Sequence, residues 1–95
     1  NAQYELGEYY KDRDKMQAIH WFRKAAKQEH TQAEYELGML YYESEDYSKA
    51  VRWLKKAAKQ NYVPAMEKMA ECYRYGHGVK KNTSLADEWM SKIKP

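Results

Sequence analysis

Apolar side chains recur at helical spacing along almost the whole chain. Ala2, Leu6 and Tyr9 fall at i, i+4 and i+7, as do Ala33, Leu37 and Leu40. Ala18, Phe22 and Ala25 repeat the step, with Trp21 beside them. Polar residues separate these stripes, so each segment reads as a helix with one buried face. The pattern predicts six antiparallel helices, near 1–11, 15–28, 32–43, 47–60, 64–75 and 83–93.

The chain also repeats itself. Ala2-Gln3-Tyr4-Glu5-Leu6-Gly7-Glu8-Tyr9-Tyr10 returns as Ala33-Glu34-Tyr35-Glu36-Leu37-Gly38-Met39-Leu40-Tyr41, and in weaker form as Ala65-Met66-Glu67-Lys68-Met69-Ala70-Glu71-Cys72-Tyr73. Ala18-Ile19-His20-Trp21-Phe22-Arg23-Lys24-Ala25-Ala26 matches Ala50-Val51-Arg52-Trp53-Leu54-Lys55-Lys56-Ala57-Ala58, and Ala86-Asp87-Glu88-Trp89-Met90 is a third copy. Self-similarity at this period marks stacked helix pairs. The units are about 1–31, 32–63 and 64–95, within one repeat domain spanning 1–95.

Spacing locates the loops. Ala25 to Ala33 is the same step as Ala57 to Ala65, so the link between units is constant. Within units the tip varies from Tyr10–Asp14 through Tyr41–Asp46 to Tyr73–Asn82, as surface loops do. Asp14, Asp46 and Asn82 each stand four residues before the aligned alanine and are expected to cap the second helices. Asp14 with Gln17 resembles a capping box. Pro64 suits a first helical turn. Gly inside a helix costs about 1 kcal/mol against Ala. Gly7 and Gly38 at one repeated position therefore predict close helix approach, with a neighbouring Trp or Tyr laid over the gap.

At these residues the chain resembles Sel1-like repeats, relatives of tetratricopeptide repeats. The third unit carries the fullest match: Tyr73-x-x-Gly76-x-Gly78-Val79-x-x-Asn82-x-x-x-Ala86-x-x-Trp89. Units one and two keep the Leu-Gly, Tyr, Ala, Trp and Ala-Ala positions but have shorter tips without Gly-x-Gly-Val. The resemblance implies an all-α, right-handed α-α superhelix (a solenoid) of three helix-turn-helix repeats. It also implies a scaffold or adaptor that binds another protein or peptide, often in bacterial secretion, envelope or host-interaction pathways, or in eukaryotic membrane-protein quality control. The family usually has Gly after the second helix, where Glu29 and Asn61 stand here. Asn tolerates a left-handed backbone and Glu does so poorly, so the turn at Glu29 is expected to differ in detail. Lys92, Lys94 and Pro95 suggest a unit that closes the array. The chain begins at Asn1 without Met and is helical in pattern at once, which reads as a fragment of a longer protein.

By analogy with tetratricopeptide units, the first helices line the concave face. The positions expected there are Tyr4, Glu8 and Lys11, then Gln32, Tyr35, Met39 and Tyr42, then Glu67, Glu71 and Arg74. This gives an aromatic centre with mostly acidic edges, and Tyr and Met are common at adaptable binding surfaces. The alternative is that some of these tyrosines pack between helices.

Composition narrows the rest. The chain is 43% hydrophobic with ten Tyr and three Trp, which sets it apart from disordered sequences. Its net charge of +3 is too small to imply nucleic acid or membrane binding. No apolar run nears the ~20 residues of a membrane-spanning helix, so no membrane insertion is expected. Charge is nevertheless segregated: first helices are acidic, and second helices carry a ladder of Arg23/Lys55, Lys24/Lys56 and Lys27/Lys59. That ladder gives a second reading, weak binding of nucleic acid or an anionic surface, against the favoured one of a solvated outer face. A third reading is a structural spacer within a longer array.

Catalytic motifs are missing. The sequence has no nucleophile elbow, phosphate loop or paired-carboxylate motif, so neither an enzyme nor a small-molecule substrate is indicated. His20, His30, His77 and the single Cys72 lack zinc-ligand spacing, so neither metal nor cofactor is expected. His20 aligns with Arg52 and reads as surface. His77, between two loop glycines, is expected to be exposed.

Overall fold

A computed structural model describes residues 2–93. Six helices follow one another: α1 (Ala2–Tyr10), α2 (Lys15–Ala26), α3 (Thr31–Glu43), α4 (Tyr47–Lys59), α5 (Val63–Tyr75) and α6 (Thr83–Ile93). Asn1, Lys94 and Pro95 lie outside the described residues. Part of the capping unit read from Lys92, Lys94 and Pro95 therefore lies there too.

Each helix packs on the next in sequence. Phe22, Leu37, Leu54 and Met69 are wholly buried, one layer after another, between alanines at Ala18, Ala25, Ala33, Ala50, Ala57 and Ala65. Large side chains thus fill the space that small ones leave. Each fully buried large side chain stabilises the fold by about 1.5–3 kcal/mol relative to exposure.

The close approach expected at the helix glycines is present, but its filler differs. Phe22 covers Gly7 and Leu54 covers Gly38, rather than Trp or Tyr. Phe22 and Leu54 are aligned residues on α2 and α4. The tryptophans sit one position earlier and turn outward, where they are only half-buried.

The links between units are copies of one turn. Glu29 (φ 61°) and Asn61 (φ 62°) both adopt the left-handed conformation. His30 N donates to Ala25 O and Tyr62 N to Ala57 O, each at 3.3 Å. Glu29 does not alter the turn, contrary to the expectation from its side chain. The hydrogen-bonded closure of the helix end holds it there.

Caps follow the pattern in part. Asp14 Oδ1 accepts from Gln17 N at 3.3 Å, and Asn82 Oδ1 from Leu85 N at 3.1 Å. Asp46 makes no side-chain cap and instead pairs with Lys49 at 3.7 Å. The capping box does not close, because Asp14 N donates to Tyr10 O. At α3 the cap is His30, whose Nδ1 accepts from Ala33 N at 3.1 Å.

The long tip of the third unit folds back onto the second. Gly76 (φ 73°) ends α5 in a left-handed turn, and Asn82 N returns to Tyr73 O at 2.8 Å. Gly78 lies so close to the Tyr47 carbonyl that a side chain there has no room. His77 between them is not exposed as expected. Its ring stacks on Tyr47 (centroids 4.5 Å apart, planes 9°), and its Nδ1 hydrogen-bonds the Tyr42 hydroxyl at 2.7 Å.

Candidate functional site: a groove on the first helices

Two adjoining cavities run along the first-helix face. One, of about 410 Å³, is lined by Tyr35, Met39, Glu67, Lys68, Glu71, Arg74 and Tyr75, with Pro64, Ala70 and Met90. The other, of about 270 Å³, is lined by Lys11, Asp12, Tyr35, Glu36, Met39, Leu40 and Glu43. Tyr35 and Met39 belong to both, so α3 forms a saddle between them.

Helical periodicity explains this assembly. Position four of the repeat motif is Tyr4, Tyr35 and Glu67, position eight is Glu8, Met39 and Glu71, and the next turn gives Lys11, Tyr42 and Arg74. These fall at i, i+4 and i+7, on one face of α3 and of α5, with Lys11 in the turn just after α1. Of the expected residues, Lys11, Tyr35, Met39, Glu67, Glu71 and Arg74 line the cavities. Gln32 is exposed outside both.

The other three are held by their own unit or by the neighbouring loop. The Tyr4 ring stacks on His30 (4.6 Å) and leans on Phe22 (5.7 Å). Glu8 sits beneath Lys11, 3.4 Å from its Nζ, with the contacting oxygen buried. Tyr42 is enclosed by His77, the edge of Tyr47 and the Lys68 ammonium, 4.8 Å over its ring.

Glu36, Lys68, Tyr75 and Glu43 also line the groove, although motif analogy does not select them. The signal was present: Glu5/Glu36/Lys68 and Asp12/Glu43/Tyr75 are the columns adjoining those chosen. A groove is wider than one helical column, so adjacent columns enter it. Met90 comes from α6 and has no counterpart in the first-helix pattern.

Electrostatics follow from this crowding. Burial raises the Glu36 carboxyl above its usual range, with Lys11 opposing and Glu8 reinforcing. Burial also raises the Tyr35 phenol, helped by Glu36. Tyr42 is pushed up to about 12, first by burial and then by the Glu71 carboxylate. Burial works to lower Lys11, but the Glu36 and Glu8 carboxylates outweigh it and its ammonium is held on more tightly. Lys11 bridges Glu8 at 3.4 Å and Glu36 at 3.5 Å, joining α1 to α3.

The second-helix face is built differently. Lys24, Lys56 and Lys92 each lie over the tryptophan three residues earlier, at 5.3, 5.0 and 4.6 Å. Arg23 Nη2 donates to the Tyr41 hydroxyl at 2.5 Å. Several ladder cations therefore have aromatic partners within the chain. His20 is exposed, like Arg52. Among the described residues, no group of three or more His, Cys, Asp or Glu is placed to hold a metal ion. Nor is any helix among them long and apolar enough to cross a membrane.

Successive helix pairs, each packed chiefly on its neighbours among the described residues and presenting a groove along the first helices, define an α-α superhelical solenoid. The Sel1 repeat family model matches residues 1–30, 31–62 and 63–93, and the chain belongs to that family. It is similar to a protective antigen present in uropathogenic Escherichia coli strains, which displays an SLR fold. The TM-score is 0.89 and the identity 33%, over 96% of this chain and 21% of the antigen. It is also similar to a Sel1 repeat protein from Oxalobacter formigenes, with a TM-score of 0.85 and 34% identity over 97% of this chain and 77% of that one. The chain thus spans about a fifth of the antigen's length. No curated protein matches it. Sel1 repeat proteins are generally non-enzymatic modules of protein–protein interaction.

Proposed function

We propose that this chain is an adaptor module that grips a segment of a partner protein in the first-helix groove. The observation that carries the reading is that the two cavities adjoin, sharing Tyr35 and Met39 as common walls. Groups in the turn after α1, on α3 and on α5 thereby face one bound segment.

In this reading Tyr35 and Met39 are the apolar centre. Lys11, Glu67, Glu71 and Arg74 are the polar walls. Glu8 steadies Lys11, Tyr42 lies under Lys68, and Tyr4 packs inside its own unit. Tyr supplies a large rigid contact surface at low entropic cost, and Met adapts to varied side chains. No catalytic group enters the reading.

The test is capture of a partner by the chain, compared with a Tyr35→Ala, Met39→Ala double variant whose helicity is verified by circular dichroism. Tyr42 is left intact, because its hydroxyl anchors the His77 loop. A partner retained by the unchanged chain and lost by the variant supports the groove. Equal retention by both places the interface elsewhere.

A further inference from the structure

Granting that groove, we infer that its partner is a cationic segment carrying an apolar side chain between lysines or arginines. The argument rests on which groove charges are already satisfied. All three cations lining the cavities are paired within the chain. Lys11 bridges Glu8 and Glu36, Lys68 meets Glu71 at 2.5 Å, and Arg74 meets Asp87 at 3.4 Å. Asp12, Glu43 and Glu67 also line the cavities and make no ion pair among the described residues.

The lining thus holds five carboxylates, Asp12, Glu36, Glu43, Glu67 and Glu71, against three cations. Its surplus is negative, although the whole chain carries +3. The Tyr35 phenol, raised first by burial, is raised next by the neighbouring Glu36 carboxylate, in keeping with that surplus.

The surplus acids flank the apolar saddle rather than replace it. Asp12 and Glu43 belong to the cavity on the α1 side of Tyr35 and Met39, and Glu67 to the cavity on the α5 side. A segment lying across α3 therefore meets acid, then apolar surface, then acid. A complementary ligand has the order base, apolar, base. An acidic segment would set like charges against unneutralised carboxylates, which selects against it. The positive charge of the rest of the molecule makes general attraction of a basic peptide unfavourable, so its binding reports on the groove.

The test uses two fluorescein-labelled peptides of equal length, one built from the unit Lys-Leu-Lys-Gly and the other from Glu-Leu-Glu-Gly. Each is titrated with the chain at low salt and followed by fluorescence anisotropy. The cationic peptide is expected to bind more tightly. Glu43→Gln with Glu67→Gln is expected to weaken it by about three- to tenfold. Lys55→Gln with Lys59→Gln, on the opposite face, is expected to change it by less than about twofold.

Tighter binding of the acidic peptide, insensitivity to the Glu43 and Glu67 changes, or no binding of either peptide overturns the charge assignment. None of these removes the groove, whose own test is loss of partner capture on changing Tyr35 and Met39.

Discussion

A methyl group at Gly38 would stand 2.7 Å from Leu54 Cγ and 3.1 Å from the Leu54 backbone nitrogen. The same position of the first repeat is Gly7, where a methyl would lie 2.5 Å from the Phe22 ring. Ala in place of Gly gains about 1 kcal/mol of helix propensity, while overpacking typically costs about 1–3 kcal/mol. Gly38→Ala is therefore expected to destabilise the fold by up to about 2 kcal/mol. Gly7→Ala is expected to cost less, since α1 packs on α2 alone among the main helix contacts and has more freedom to shift. Urea denaturation of both variants checks the order.

Leu6 and Leu37 occupy one repeat position but different environments. Leu37 is wholly buried, whereas Leu6 is 37% exposed because no second helix precedes α1 among the described residues. Leu37→Ala is expected to cost about 2–5 kcal/mol. Leu6→Ala is expected to cost about 1 kcal/mol or less, because only part of the side chain leaves water on folding. Equal losses would mean that the two faces are packed alike.

Glu29 holds a left-handed backbone that costs an L-residue roughly 1–2 kcal/mol. Glu29→Gly relieves that strain while adding entropy to the unfolded chain, for an expected net gain of about 0.5–1 kcal/mol. Asn61→Gly is expected to gain only a few tenths, ~0.3 kcal/mol, since Asn tolerates the conformation better. Thermal unfolding compares them directly.

Stability is expected to fall under alkaline conditions. Burial pushes the Cys72 thiol from 9.0 up to about 11, with Glu71 adding to the shift. The folded-state value is raised, so this contribution is fully present below pH 9.0 and is lost as pH rises toward about 11. Tyr42 acts likewise between 10.0 and about 12. For the fully buried thiol the loss is on the order of 2 kcal/mol. Denaturation midpoints measured across this range should drop, and Cys72→Ala should flatten the slope below Tyr42's range.

The six helices were legible because packing and local pattern agree. Leu37, Leu54 and Met69 lie where the i, i+4, i+7 stripes place them, and each is wholly buried. The Glu29 side chain alone does not predict its turn, because the hydrogen bond from His30 N to Ala25 O fixes the turn from outside that residue. The place of His77 is hidden from the sequence for a related reason. Its burial comes from Tyr42 and Tyr47 in the preceding unit, a long-range contact that local spacing does not encode. Repeat position identified six of the cavity-lining residues, but Met90 arrives from α6 and follows no first-helix column.

The central claim is that a partner lies along the first helices. A benzophenone attached to Arg74→Cys places a photo-crosslinker at the groove wall, and the same group on Lys55→Cys places one on the second-helix face. Cys72 is buried, so it does not compete for the label. The groove account predicts a crosslinked partner from position 74 and none from position 55. Crosslinking from position 55 with none from position 74 would contradict it.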